Sequence, residues 1–238
     1  MLPTDWVIPK GVKLMFTTRA GGVSRAPFDS LNLGDHVGDS ALDVQQNRNL
    51  LRQQLGLTAD IEWLEQVHGT EVVNLAEDKH RVADGSYSCL RQQVCAVMTA
   101  DCLPVLLCDR SGQEVAAVHA GWRGLCAGVI ESALTKFNAK ASDTIAYLGP
   151  AIGPRAFEVG AEVRQAFIDK HPDTANFFNA SGDKYLADIQ GIAQWRLHHA
   201  GVRQVYVLAH CTYENCRDYF SYRRESTTGR MASLIWLE

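Results

Sequence analysis

Residues 94–124 of the sequence read VCAVMTADCLPVLLCDRSGQEVAAVHAGWRG. Three runs in this stretch, at residues 94–99, 103–108 and 115–118, are apolar and rich in β-branched side chains, and each has the length of a buried strand. The Asp-Arg-Ser-Gly tetrapeptide at residues 109–112 has the composition of a turn. The stretch therefore predicts neighbouring strands, two of which are joined by a hairpin.

On either side of this centre, strand-like and helix-like segments follow one another. Further strands are predicted at residues 13–19, 63–67, 72–75, 145–148 and 205–209, and helices at residues 39–55, 125–137, 161–170 and 189–200. Hairpins and crossovers together indicate an α/β (α+β) fold with mixed β-sheets flanked by helices. Because no repeat, low-complexity tract or Pro/Ser-rich linker divides the chain, residues 1–238 are expected to form a single domain.

The composition argues against several kinds of partner. Hydrophobic residues make up 46% of the chain, and its net charge of -4 lacks the basic excess that nucleic-acid binding needs. Residues 1–11 do not have the basic start and apolar run of a secretory signal, and no 18 apolar residues run uninterrupted, so a cytoplasmic protein without a membrane partner is expected. The seven cysteines include no CxxC pair, which predicts reduced thiols, most of them in the core.

The predicted hairpin brings a cysteine and a histidine together. A two-residue loop at Arg110 and Ser111 places Cys102 directly opposite His119. Opposed residues on one face have Cβ atoms about 4.5 to 5.5 Å apart, which suits two ligands of one metal ion. Spacing alone favours the plainer alternative, a buried thiol beside a hydrogen-bonded core histidine, unless a third ligand is found.

His68 is the candidate third ligand. It lies in the sequence Val-His-Gly at the end of a predicted strand, where the glycine allows a close approach by another backbone or a ligand. Two histidine nitrogens and one thiolate leave the fourth tetrahedral position open, as in a catalytic zinc site. The alternative for His68 is a surface loop histidine, and the other six histidines are interpreted as structural or solvated.

Three polar segments are candidates for binding substrate. Arg19 ends a predicted strand before two glycines, so it could hold an anion while backbone N–H groups approach. Asn32 and Arg48 offer amide and guanidinium donors. Residues 220–224 place aromatic side chains beside two cations, and for these segments a plain turn or a solvated basic loop is the alternative.

Six ordered motifs carry a family resemblance. They are TTRAGGVSRAPFDSLNLGDHVGD (17–39), WLEQVHG (63–69), MTADCLPVL (98–106), VHAGWRG (118–124), LGPAIGPRAFEVG (148–160) and FSYRRESTTGRMASLIWL (220–237). Together they resemble the YfiH family, also called the laccase-domain or multicopper polyphenol oxidoreductase family. The resemblance implies a fold similar to the catalytic domain of cytotoxic necrotising factor. It also implies a metal site of His68, Cys102 and His119, which would be the catalytic residues.

For function, the resemblance implies a zinc-dependent purine nucleoside phosphorylase. Its substrates would be adenosine, inosine and S-methyl-5'-thioadenosine with phosphate, and it would also deaminate adenosine, with Asp101 and Glu65 as the carboxylates nearest in sequence. We expect a monomer. One alternative is a copper-dependent polyphenol oxidase (laccase), although the eight histidines include no His-x-His pair. Another is a hydrolase with Cys102 as nucleophile, including one that edits cytoplasmic peptidoglycan precursors.

Overall fold

The computed structural model describes residues 2–58 and 60–238 and places a mixed six-stranded sheet at the centre of the molecule. Across this sheet the strands are β11 (Gln204–Val207), β7 (Thr144–Leu148), β5 (Leu103–Asp109), β6 (Val115–Ala120), β3 (Gly85–Ser88) and β2 (Val72–Asn74). The outer pairs, β11 with β7 and β2 with β3, are parallel, and the pairs between them are antiparallel. The predicted α/β class with mixed sheets is confirmed.

A three-stranded antiparallel sheet covers one face of the central sheet. Its strands are β1 (Val12–Phe16), β12 (Met231–Leu237) and β4 (Cys95–Thr99), with β12 in the middle. On its outer side packs α1 (Ala41–Gln54), whose Leu51 contributes to one apolar cluster with Leu234 and Trp236. The two ends of the chain are therefore joined in one sheet.

Helices cover the opposite face of the central sheet. They are α2 (Trp122–Ala127), α3 (Val129–Leu134), α4 (Ala161–Lys170) and α5 (Ile189–His199). A small sheet of β8 (Glu158–Val159), β10 (Lys184–Ala187) and β9 (Phe178–Ser181) adds to this layer. The molecule is thus built in layers around the central sheet.

Alternation along β5 explains the layering. Leu103, Val105 and Leu107 belong to the apolar core shared with the helices, whereas Leu106 and Cys108 belong to the core shared with the three-stranded sheet. Because both faces of the strand are covered, its sequence is continuously apolar. This is the property that makes the central strands recognisable in the sequence.

Two predicted elements are wrong. The single helix expected at residues 125–137 is two helices, because Gly128 adopts a left-handed φ of +112° between α2 and α3. No strand forms at residues 63–67, where Glu65 makes only an isolated bridge to Val82. The other predicted strands and helices are confirmed with shifted ends, and α4 has the predicted bounds.

The register of the β5–β6 hairpin also differs from the prediction. Pro104, not Cys102, pairs with His119, because the connection is longer than two residues. The Asp109 carboxylate accepts hydrogen bonds from the backbone N–H groups of Ser111, Gln113 and Glu114, which stabilises this wider turn. A shift of two residues keeps every side chain on its face, since the strand period is two. Cys102 and His119 therefore still approach each other.

All seven cysteines are free thiols, as predicted, and four of them are buried. Within the two described ranges, no helix combines the length and the apolar character needed to cross a membrane.

Candidate metal centre and cavity

His68, Cys102 and His119 meet at one end of the central sheet. His119 lies in β6, Cys102 directly precedes β5, and His68 comes from the loop before β2. Their ligand atoms all lie within 4.8 Å of one another, and Cys102 Sγ is 3.9 Å from His68 Nε2. The three residues selected by sequence are thus neighbours in space, although more than thirty positions separate His68 from Cys102.

A buried carboxylate, Asp84, orients this cluster. Its Oδ1 lies 2.8 Å from His119 Nδ1, and because an ionised carboxylate only accepts, Nδ1 donates and Nε2 is left free. The same carboxylate accepts hydrogen bonds from the backbone N–H groups of Val67, His68 and Gly69 at 3.2, 2.9 and 2.6 Å. Asp84 therefore positions two of the three candidate ligands at once. No local sequence pattern indicates this role for Asp84.

The backbone beside the ligands is conformationally restricted. His68 has a φ of +60° and Asp101, which precedes Cys102, a φ of +89°. Non-glycine residues seldom adopt such left-handed values, and the cost is about 1–3 kcal/mol each. The hydrogen bonds of Asp84 to the His68 loop offset this cost and fix His68 in place.

The electrostatics of the cluster favour a thiolate. Burial by itself would raise the pKa of the Cys102 thiol, but the neighbouring His119 and His68 outweigh it and lower that pKa to about 6. Burial opposes the charge on His119, whereas Cys102 and Asp84 raise its pKa above the ordinary value. The pKa of Asp84 is lowered despite its burial, because His119 and the loop N–H groups stabilise the carboxylate. A deprotonated thiol is the form that binds metals.

The three donor atoms are close enough together to share a small ion. A Cβ on Gly121 would lie 2.8 Å from His68 Cδ2 and 3.2 Å from Cys102 Sγ, so only glycine leaves the centre clear. Zinc bonds of about 2.0 Å to nitrogen and 2.3 Å to sulfur separate tetrahedral ligand atoms by roughly 3.3–3.6 Å. The triangle of donors is slightly wider than this, so small side-chain movements suffice to close it on an ion.

The cluster forms part of the wall of a cavity of about 480 Å³. Ordinary small-molecule sites have volumes of about 300–1,000 Å³ with mainly apolar walls. The apolar part of this wall includes Trp122, Ile152, Phe157 and Ile189. The polar lining residues besides the cluster include His36, Gln66, Asp101, Tyr222, Arg223 and Arg230. His36, which the sequence analysis interpreted as structural or solvated, thus faces the cavity.

Asp101 connects the cluster to a long loop that forms part of the cavity wall. Its Oδ1 accepts a hydrogen bond from Thr212 Oγ1, and its Oδ2 accepts one from Ser221 Oγ and one from Arg223 N. Both carboxylate oxygens are therefore occupied by protein donors. Glu65, the other carboxylate near the ligands in sequence, is exposed and does not line the cavity.

Comparison with known proteins places these features in a family. A family model described as a multi-copper polyphenol oxidoreductase laccase matches residues 13–238. A protein of Shigella flexneri named purine nucleoside phosphorylase YfiH is 54% identical over 239 residues, which cover 100% of this chain and 98% of that protein. The chain belongs to the YfiH family. A Pseudomonas aeruginosa protein, also named a purine nucleoside phosphorylase, is 48% identical over 100% of this chain and 98% of its own length.

Solved structures agree with this membership in the YfiH family. The crystal structure of a Neisseria meningitidis protein superposes with a TM-score of 0.95 at 48% identity, covering 98% of this chain and 97% of that one. The crystal structure of a Bacillus licheniformis hypothetical protein named YfiH has a TM-score of 0.88 at 29% identity, with 95% and 93% coverage. The layered fold is therefore that of the YfiH family.

In this YfiH-family chain, the three predicted substrate-binding residues lie outside the cavity lining. Arg19 forms an ion pair with Asp29 at 3.2 Å and lies over the ring of Phe220. Arg48 is paired with Asp35 at 3.3 Å, and Asn32 is fully buried. All three side chains bind other groups of the protein, and their direct contact with substrate stays a prediction.

Asn32 nevertheless supports a residue of the cavity wall. Its Oδ1 accepts a hydrogen bond of 2.9 Å from the backbone N–H of Arg230. Burial lowers the pKa of Arg230 below its ordinary value, although the nearby charges of Cys102 and Asp101 act in the opposite direction. In the sequence, residues 220–224 stand out as two cations beside aromatic side chains, whereas no pattern singles out Arg230.

Proposed function

We propose that this protein is a metal-dependent purine nucleoside phosphorylase. The observation that carries the proposal is the cluster of His68, Cys102 and His119 in the wall of a cavity large enough for a nucleoside. Relatives that are 48–54% identical over the full chain bear the name purine nucleoside phosphorylase. In this proposal residues 1–238 act as one catalytic domain, and the seven free thiols suit a reducing cytoplasm.

The proposed metal is zinc, held by His68, Cys102 and His119. Two imidazole nitrogens and one thiolate are a ligand set that zinc accepts in catalytic sites, and Asp84 supplies the carboxylate that commonly orients a ligating histidine. When bound, zinc would supply a Lewis acid at its open coordination position. A copper oxidase is less well supported, because within residues 2–58 and 60–238 the cluster is the one group of at least three His, Cys, Asp or Glu side chains close enough to share an ion.

The reaction requires the cavity to hold a nucleoside and an oxyanion together. A phosphate oxygen forms a bond to the anomeric carbon of the sugar while the bond from that carbon to the base breaks, and the base departs with the electron pair and takes up a proton. The protein would contribute by binding both reactants in line and excluding water. Trp122 and Phe157 offer aromatic surface for the flat base, and the cations Arg223 and Arg230 suit the phosphate.

The proposed substrates are adenosine, inosine and S-methyl-5'-thioadenosine. The apolar side chains Ile152 and Ile189 suit the methylthio group of S-methyl-5'-thioadenosine. Deamination of adenosine is proposed as a second reaction of the same site, in which water adds to C6 of the base, the bond from C6 to the amino nitrogen breaks, and the nitrogen takes up a proton and leaves as ammonia. The two reactions share the binding site for the base and differ in the nucleophile and in the carbon that it attacks.

The test combines metal analysis with identification of products. We expect about one zinc ion per chain, adenine and ribose 1-phosphate from adenosine only when phosphate is present, and inosine without it. Cys102→Ser should lower metal content and both activities, whereas Cys216→Ser, which removes an exposed thiol elsewhere, should change neither. The absence of any sugar phosphate from all three nucleosides in metal-loaded protein would overturn the proposal.

A second candidate function is a thiol hydrolase. It is favoured by the positions of three side chains: the Cys102 sulfur lies within 4.8 Å of a His119 ring nitrogen, and Asp84 lies 2.8 Å from His119 Nδ1, which is the order of nucleophile, base and orienting carboxylate. This candidate requires hydrolysis that survives removal of the metal and disappears in Cys102→Ser. The same metal analysis therefore separates the two functions.

A further inference from the structure

Arg230 differs from the paired arginines of this protein. Arg19, Arg48, Arg52, Arg81, Arg155 and Arg196 each lie within 4 Å of a carboxylate oxygen. Arg230 is half-buried and lines the cavity, yet no carboxylate of the described ranges lies within that distance of its guanidinium. A buried charge without a partner is costly, so an unpaired cation in a cavity wall indicates an anionic ligand.

The guanidinium of Arg230 also has free donors. Its Nη1 donates to the carbonyl oxygens of Thr228 and Gly229, both at 3.0 Å. Its Nε and Nη2 have no acceptor among residues 2–58 and 60–238. These two nitrogens form the side of the guanidinium that can donate two parallel hydrogen bonds to neighbouring oxygens of one phosphate.

The side chain of Arg230 is held in place by its surroundings. A Cβ on Gly34 would lie 2.8 Å from Arg230 Cγ, so the glycine leaves room for the arginine stem to pass. Asn32 fixes the backbone of Arg230, and the guanidinium carbon lies 6.0 Å from the centre of the Tyr222 ring. Such preorganisation reduces the entropy lost on binding a ligand.

Asp101 and Cys102 are the anionic groups whose charges act on Arg230, and both already have partners. Asp101 is bonded through both oxygens to Thr212, Ser221 and the Arg223 backbone. The sulfur of Cys102 lies in the cluster with His68 and His119. Neither therefore takes up the free donors of Arg230, and the charge of the guanidinium is available to a ligand in the cavity.

We propose that Arg230, with its Nε and Nη2 as a bidentate donor pair, forms an oxyanion subsite in the same cavity as the metal cluster. Its ligand is a tetrahedral oxyanion of the phosphate class. The assignment deepens the proposed function, on which it rests for the identity of the reaction, by naming the residue that binds the second substrate. It also replaces Arg19, whose charge is paired with Asp29, as the candidate for that role.

The direct test is calorimetric titration of the purified, metal-loaded protein with inorganic phosphate. Arg230→Met should weaken phosphate binding by about 10-fold to 150-fold, because it removes charged hydrogen bonds. Arg230→Lys keeps the positive charge but lacks the pair of parallel donors, so its phosphate affinity should lie between those of the wild type and Arg230→Met. Arg155→Met removes an exposed arginine that does not line the cavity, and it should leave the affinity within twofold of the wild type. Thermal unfolding confirms that each variant is folded.

Kinetics separates this subsite from the proposed function. In a phosphorolysis assay, Arg230→Met should raise the KM for phosphate much more than the KM for the nucleoside. Phosphorolysis with an unchanged phosphate affinity in both Arg230 variants would overturn the subsite and leave the function standing. A wild type that binds phosphate through Arg230 but forms no sugar phosphate would support the subsite and overturn the function. Failure of the wild type to bind phosphate at all would overturn the subsite.

Discussion

The Asp84 carboxylate lies 2.8 Å from Nδ1 of His119 and also accepts a hydrogen bond of 2.9 Å from the backbone N–H of His68. One buried side chain thus holds His119 on a strand and His68 on a loop in a single arrangement. The side chain is fully buried, so these hydrogen bonds do not compete with solvent. The geometry of the candidate metal centre should therefore depend on Asp84, although Asp84 is not itself one of the three candidate ligands.

Asp84→Asn should lower zinc affinity by about 10-fold to 100-fold, the usual cost of losing a group that orients a metal ligand. The amide can still accept from the loop but does not stabilise the charge on His119. Competition with a chromophoric chelator measures the affinity. The matched control is Asp109→Asn, since Asp109 likewise accepts three backbone N–H groups, but in the distant hairpin turn. Equal losses in both variants would show that only folding is affected.

The Cys102 thiol should ionise at unusually low pH in metal-free protein. Its pKa falls from 9.0 to about 6, so the thiolate persists from alkaline pH down to about 6 and is lost below it. The rate of alkylation of Cys102 by iodoacetamide, followed by peptide mass spectrometry, should reach half of its maximum near pH 6. In urea the same thiol should show an ordinary pKa near 9. A native rate that keeps rising to pH 9 would contradict the role given to His119 and His68.

Arg19→Ala should act on stability more than on phosphate binding. The guanidinium donates to the carbonyl oxygens of Asp29 and Cys216 at 2.8 and 3.1 Å and so ties the loop after β1 to the loop after β11. Loss of these charged hydrogen bonds should lower the free energy of unfolding by about 1.5–3 kcal/mol, measured in urea. The KM for phosphate should stay within about threefold of the wild type. A selective rise of that KM in a stable variant would instead support the sequence-based role of Arg19.

The sequence predicts the centre of this fold better than its margins for a physical reason. Strands β5 and β6 are covered on both faces, so their apolar runs are unmistakable. Strand β12 has a similar run, but its place between β1 and β4 depends on pairing over more than a hundred residues, and sequence analysis did not assign it. Gly128 divides a helix through one backbone angle, which periodicity does not report.

In the candidate site, too, the sequence predicts the residues that a local pattern marks and misses those that depend on distant contacts. Cys102 and His119 were found through local strand geometry, and their proximity survived a two-residue error in register because the period of a strand is two. Asp84 and Arg230 were not assigned, because their roles arise from contacts between segments far apart in the chain. An Asp-Gly pair at residues 84–85 and an arginine near the chain end carry no local signature of those contacts.

Asp101 has two possible roles, proton transfer and positioning of a loop, which experiment can distinguish. It lies beside Cys102 in the cavity wall, where a carboxylate could move protons during deamination. Both carboxylate oxygens of Asp101 instead accept hydrogen bonds, from Thr212, Ser221 and the Arg223 backbone. Asp101 is therefore a positioning residue for the loop that bears Tyr222 and Arg223.

Asp101→Asn separates these roles. Asparagine tolerates the left-handed backbone at this position, and its amide oxygen can still accept from Arg223 and Ser221 while the Thr212 hydroxyl turns to accept from its NH2 group. We therefore expect kcat for deamination and for phosphorolysis to fall by less than about 10-fold, far from the roughly 100-fold to 10,000-fold loss of a proton-transfer group. Asp101→Ala removes all three hydrogen bonds and should raise the nucleoside KM with metal content retained, because the loop loses its anchor. A collapse of deamination alone in Asp101→Asn, with KM and phosphorolysis preserved, would identify Asp101 as the proton carrier after all.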